Sequence, residues 1–470
     1  MAERKVVHMQ FQGDNVDGKP EDRAMAPVLV PIMAVGMTSV PGGVCLLGKD
    51  TAVYPVGRTL AMYCPSQPST VRISEPLRAV RGITALTLSP NKKFLAAAET
   101  MADGYLPQIT LFDATTLERS LTLSGTLSGG TFTFLAFSAD STLLLATGCE
   151  EATSSAPPTS SFHLWDWANS TTPRCSGTMD RGEMAIRAAL DPRYEANVLV
   201  MCTKSLGLFR QSPNGFKRHP VEGLEMARDA TLVDLATLSD GRFLVATSSR
   251  QVLVVDRNHA HIAFYTDRPV TCMVGLPDGA VAIGTERGYL QLYRRSANSE
   301  TALYTIYSES RVPETVLSVS LDSQIRAMAV GPGGETLLCA TAGGGPTYLF
   351  NLAYARTLAL SSDPQNDLWE VLLPGCHEQG IISASLAYKR DFLATASKDL
   401  TVRVWQTSPL RLVLTHMCHH SPLALSIDPY GRELVVAYVD GVRCYSVAEG
   451  LLVEGEELHH EFGPGAAGAG

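Results

Sequence analysis

From Ile83 to Asp113 the chain alternates, breaks and alternates again. ITALTL sets Thr84 and Thr87 between apolar residues, and SPNKK interrupts it. FLAAAET is an apolar run ending in small residues, and QITLFD resumes the alternation. Period-two alternation marks strands with two unlike faces, and the Ser-Pro-Asn step marks a turn. The same phrase returns at 132–166, 231–256, 270–293, 325–350, 381–405 and 423–445. Weaker copies stand at 185–209 and 44–63. Asp-Gly, Pro-Asp-Gly and Gly-Gly steps supply hairpin turns that need positive φ. The second strand of each unit is rich in Ala, Thr, Ser and Val, which suits close packing of one sheet on the next. Helical periodicity is nearly absent.

This pattern predicts an all-β fold. Units spaced about 40 to 55 residues apart fit four-stranded blades of a β-propeller. Nine units exceed the usual limit of about eight blades. The expected arrangement is therefore a seven-bladed ring over 33–365, followed by two blades of an incomplete second propeller over 366–455. Residues 1–32 form an N-terminal arm that could contribute a closing strand. Residues 456–470, ending in GPGAAGAG, form a flexible low-complexity tail. The segment 361–375 is the expected junction. A single eight-bladed ring is the alternative.

Composition narrows the function. The chain is 45% hydrophobic and 18% charged, as expected of an ordered globular protein. A net charge of −9 disfavours nucleic acid and acidic membrane surfaces as partners. The first residues lack the apolar core of a signal peptide, and no apolar run is long enough to span a bilayer. The ten cysteines are scattered without a C-x-x-C pair, which predicts reduced, mostly buried thiols in a cytoplasmic protein. The sequon Asn169-Ser170-Thr171 is then silent.

The strongest local motif runs from His377 to Trp405. His377, Ser397, Asp399 and Trp405 are expected to form one hydrogen-bonded brace, in which the carboxylate orients the imidazole, and the imidazole reaches the hydroxyl and then the indole N–H. A catalytic reading of the Asp–His pair is set aside because these residue types and this spacing match a structural device. THMCHH (415–420) contains metal-ligand types but has no partner pair at zinc spacing, so it is read as outer strand and loop. AGGGPT (342–347) leads into a strand rather than a helix and is read as a turn. EEATSSAPPTSS (150–161) is read as a surface loop. No phosphate loop, nucleophile elbow or HExxH motif occurs. No catalytic residue, cofactor or metal is expected. Arg72, Arg78, Arg81, Lys92 and Lys93 form a modest basic group, the place where an acidic partner such as tubulin would bind if one does.

The repeats resemble WD-repeat proteins from about residue 40 to 450. More narrowly, GITALTLSPNKKFLAAAE (82–99), PQITLFDATTLERSLTL (107–123), GIISASLAYKRDFLATASKDLTVRVW (380–405) and SPLALSIDPYGRELVVAYVDGVRCYS (421–446) resemble the family of cilia- and flagella-associated protein 57. That resemblance implies a non-catalytic scaffold in the ciliary or flagellar axoneme, partnering dynein-arm or doublet-microtubule components. The family's long coiled coil has no counterpart here, so functions tied to it do not carry over. A soluble cytoplasmic WD-repeat adaptor or trafficking subunit, or an echinoderm-type microtubule-associated protein, is the alternative.

Overall fold

A computed structural model describes residues 37–458, apart from 39, 41, 66–70, 76–79, 103–104, 125–126, 128–129, 151–158, 181, 213–214, 228, 297–302, 314–323, 359–367, 409 and 449–450. Each repeat unit becomes one four-stranded antiparallel sheet whose strands follow one another in sequence. Among the described residues there are nine such sheets: sheet 1 (45–73), sheet 2 (80–124), sheet 3 (130–178), sheet 4 (185–219), sheet 5 (232–265), sheet 6 (270–311), sheet 7 (325–373), sheet 8 (381–417) and sheet 9 (424–458).

The buried clusters set the order of packing. Leu86 and Val53 join sheets 1 and 2, Leu111 and Phe132 join sheets 2 and 3, and Phe162 and Val200 join sheets 3 and 4. Leu208 and Val245 join sheets 4 and 5, Val254 and Ile283 join sheets 5 and 6, and Leu292 and Tyr348 join sheets 6 and 7. Leu338 and Leu349 of sheet 7 then share a core with Leu46 and Tyr54 of sheet 1. Seven sheets thus close on themselves, and the eight-bladed alternative does not apply. Sheets 8 and 9 share a separate core built on Val404, Leu414, Leu434 and Val436. Leu386 of sheet 8 and Val435 and Val453 of sheet 9 stay exposed.

Two expected boundaries move. The strand Trp369–Leu373 belongs to sheet 7, so the ring runs past residue 365. Trp369 holds it there: its ring meets Phe350 at 4.7 Å, and its indole N–H donates to the Ser310 hydroxyl at 2.7 Å. The last strand, Leu451–Leu458, runs past 455 because Leu458 pairs with Val442. The N-terminal arm (1–32), most of the 150–161 segment and the end of the tail lie outside the described residues. Glu150 ends one strand of sheet 3 and Thr159 begins the next.

Two local devices repeat. In sheets 2 to 8 the innermost strand carries a register shift, as between Leu232 and Asp234 or Ile381 and Ser383. Bulges raise the twist and re-aim side chains. The turn after the innermost strand places its fourth residue at positive φ: Lys92, Ser141, Gly241, Gly279, Gly334 and Gly431. That residue's N–H donates to the carbonyl three residues earlier, as Gly241 does to Leu238 at 3.0 Å. Glycine adopts this backbone without steric cost. Lys92 and Ser141 do not, and Lys92 has a compensating role at the ring closure.

Candidate functional site

The four-residue motif folds into sheet 8, with His377 on the segment leading into it. His377 and Trp405 are buried. His377 Nδ1 lies 3.1 Å from Asp399 Oδ2, and Nε2 lies 2.7 Å from the hydroxyl of Thr395. The Trp405 indole N–H donates to that same Thr395 hydroxyl at 2.8 Å. Protons therefore point one way along the chain, from Trp405 to Thr395 to His377 to Asp399. Each buried donor has an acceptor. Asp399 also accepts from Thr401 Oγ1 at 2.6 Å and from the Glu378 N–H at 3.1 Å.

This corrects the expected role of Ser397. Its hydroxyl donates to the Gln379 carbonyl at 3.1 Å and accepts from the Asp399 N–H at 3.2 Å, so it shapes the turn and stays out of the chain. Register is the reason. Leu393 pairs with Trp405 and Thr395 with Arg403, so Thr395 sits diagonally beside the indole, while Ser397 ends its strand opposite Ile381. Thr395 and Ser397 share a strand face, two residues apart. Parity offers both hydroxyls, and only the register between strands selects Thr395.

Burial would raise the Asp399 carboxyl, but the hydrogen bonds from His377 and Thr401 outweigh it and hold it well below the usual carboxylate range. Burial pushes the His377 imidazole below its ordinary value; Asp399 opposes this and the Arg403 charge adds to it. His377 is thus neutral at pH 7, which suits Nδ1–H donating to Asp399 while Nε2 accepts. The hydroxyl–imidazole–carboxylate order matches that of a hydrolase triad. However, the Thr395 residue is only 1% exposed and its oxygen already accepts the indole N–H. The arrangement braces a blade and presents no nucleophile to solvent.

Arg403, on the same sheet, is fully buried, and its Nη1 donates to the Gly344 carbonyl of sheet 7 at 3.0 Å. This guanidinium ties sheet 8 to the ring. A second link joins the Met37 N–H to the His377 carbonyl at 2.8 Å.

The basic group is not brought together. Arg81 stands near the start of Val80–Leu88, whereas Lys92 and Lys93 occupy the turn beyond that strand's other end, about 3.3 Å per residue away. The Lys92 ammonium donates to the carbonyls of Leu46 in sheet 1 at 3.1 Å and Val330 in sheet 7 at 3.3 Å. It clamps the ring closure and is not a free cation. Arg72 donates to the Thr115 carbonyl at 3.0 Å, joining sheets 1 and 2 at their outer edges. Arg78 lies outside the described residues. In THMCHH, the His416 ring packs 5.0 Å from Tyr445 while Cys418 accepts the Tyr438 hydroxyl at 3.2 Å, so these side chains serve separate contacts.

Sequence reasoning passed over two buried ion pairs. Glu99 receives Arg119 through both carboxylate oxygens, at 2.7 and 3.1 Å, along with the Thr110 hydroxyl at 2.7 Å. Arg187 meets Asp234 at 3.0 Å where the inner strands of sheets 4 and 5 approach the axis, and the second Asp234 oxygen accepts the Met273 N–H of sheet 6 at 2.8 Å. Arg187, Asp234 and Met273 line a central cavity of about 540 Å³.

The WD domain, G-beta repeat family matches residues 371–406, the segment holding this network. Cilia- and flagella-associated protein 57 of Mus musculus is 20% identical over 458 residues, covering 86% of this chain and 35% of that protein. Cilia- and flagella-associated protein 57 A of Tetrahymena thermophila is 20% identical over 258 residues, covering 54% of this chain and 19% of the relative. The chain therefore spans about a third or less of the length of these relatives. Among solved structures, the β-propeller domain of Myceliophteria thermophila Cps50 (Swd1) aligns with a TM-score of 0.40 at 11% identity, over 78% of this chain and 97% of that one. The chain is an all-β protein of four-stranded propeller-type sheets that carries one WD, G-beta repeat match at 371–406 and is similar in sequence to cilia- and flagella-associated protein 57.

Proposed function

We propose that this protein is a non-catalytic interaction scaffold of the ciliary or flagellar axoneme, helping to dock dynein-arm or regulatory complexes on doublet microtubules. The observation that carries this reading is the sequence similarity to a ciliary relative across 86% of the chain. The geometry fits it. The hydroxyl–imidazole–carboxylate chain of sheet 8 is consumed in bracing, and a closed ring offers two broad loop faces and a rim for partners. In the same reading the ring is one domain and sheets 8 and 9 begin a second propeller. Extraction of isolated axonemes tests the localisation. The tagged protein is expected to stay with the doublets through detergent and to leave only in high salt. Release of the whole pool with the detergent-soluble matrix sinks the axonemal reading and favours a soluble adaptor.

A further inference from the structure

Sheet 8 has two faces. Val404 and Leu414 point into the core shared with sheet 9. Trp405, paired with Leu412, points the other way. His377 and the Gly344 turn cover one corner of this second face. Among the described residues, no sheet packs broadly on the rest of it. Yet Trp405 is 0% exposed and Leu412 only 4%. Arg403 and Thr415 pair across the same two outer strands and share that face. Arg403 Nη2 and the Thr415 hydroxyl are buried, and neither has a hydrogen-bond partner among the described residues. Leu386, in register with Leu393 and so with Trp405, marks the inner edge of the face and stays exposed. The covered half is therefore that of the outer strands, Thr401–Thr407 and Leu410–Met417.

We propose that the apolar stretch 26–34 of this chain's own N-terminal arm lies across the outer half of this face. Thirty-six residues precede Met37, and the Met37 N–H is bonded to the carbonyl of His377, whose ring lies 6.2 Å from that of Trp405. The chain thus enters beside the face. Residues 26–34 read APVLVPIMA, with no charged or polar side chain, and burial of such a stretch against Trp405 and Leu412 is favourable. The segments outside the described residues that flank sheets 8 and 9 differ: ALSSDPQND (359–367) is largely polar and HHEFGPGAAGAG (459–470) is glycine-rich. Nine extended residues span about 30 Å and four strands about 14 Å, so the stretch is long enough. Pro27 and Pro31 have no N–H to give, which suits packing on a face rather than pairing at an edge. Backbone carbonyls of an extended stretch supply the acceptors that Arg403 Nη2 and the Thr415 hydroxyl lack. The proposal does not depend on the ciliary reading, since it concerns a contact within the chain and not the compartment.

Photocrosslinking on the full chain tests it, with benzoylphenylalanine in place of Leu386 and, as a control, in place of Val435 on the open face of sheet 9. Both positions are exposed, so the photoreactive chains should fold like the parent. Mass spectrometry of the monomer band is expected to join position 386 to peptides within 26–34, and position 435 to none of them. Val30→Asp should lower the yield of the 386 adduct about tenfold, because an unpaired carboxylate is costly to bury. Four outcomes overturn the proposal: no adduct between position 386 and 26–34, adducts to 26–34 only between two copies of the chain, equal joining from position 435, or an adduct yield that Val30→Asp leaves unchanged.

Discussion

At the residue scale, one threonine decides whether the eighth sheet is braced. Replacing Thr395 with Val keeps the shape but leaves the Trp405 N–H without its acceptor and His377 Nε2 without its donor. Unpartnered buried groups cost about 1–3 kcal/mol each. Thr395→Val should therefore lower the urea midpoint far more than Ser397→Ala, whose loss is about 0.5–1.5 kcal/mol. Equal effects would return Ser397 to the chain. The third sheet offers the reverse experiment. Trp165 is fully buried and its indole N–H has no partner. Leu144 pairs with Trp165 as Leu393 pairs with Trp405, so Ala146 stands where Thr395 stands. Ala146→Ser puts a hydroxyl there and should stabilise the protein by about 1 kcal/mol in the same melt. Of the bracing residues, His377, Asp399 and Trp405 were legible in the sequence because their types and spacing form a motif. Thr395 was not, because two hydroxyl residues share its face and only the register between strands chooses one of them.

At the element scale, the joint between sheets 7 and 8 depends on a turn that admits no side chain. Gly344 has φ of +66°, and a Cβ there would lie 2.0 Å from the Cys376 carbonyl oxygen and 2.7 Å from Arg403 Nη2. Gly57 has φ of +60° with open space around it. Gly57→Ala should cost only the backbone term of about 1 kcal/mol. Gly344→Ala should cost clearly more and should speed proteolytic cleavage between the ring and sheet 8. Equal melting temperatures for the two variants would show that the joint yields freely. The turns of the ring were readable in advance, since Asp-Gly and Pro-Asp-Gly announce their positive φ. Lys92 was not, because nothing nearby in sequence points to its carbonyl partners in sheets 1 and 7.

At the scale of the whole molecule, two buried imidazoles make stability depend on pH. Burial pushes His163 down to about 4 and lowers His377 as well. Between the unfolded histidine value of about 6.5 and these folded values, the unfolded chain binds more protons. Stability is therefore full above that window and falls as pH drops through it. For His163 alone the loss by pH 5 is about 2 kcal/mol. Unfolding midpoints from pH 7.5 to 5 should decline, and His163→Gln should flatten the slope. A flat profile in the parent protein would show that both rings take up protons as readily in the folded chain as in the unfolded one.

What the sequence determined by itself is whatever depends on near neighbours. Period-two alternation made strands, turn residues separated them, and nine repeats of that phrase made nine four-stranded sheets. The motif around Trp405 marked one sheet as braced. Only the tertiary structure decided that sheet 7 meets sheet 1, because ring closure joins residues nearly three hundred positions apart, as Leu46 and Leu338 are. For the same reason it alone decided that Lys92 clamps that closure and that Trp369 belongs to the seventh sheet. Strand pairing follows local pattern, but which carbonyl or carboxylate faces a given cation depends on how whole sheets stack around the axis.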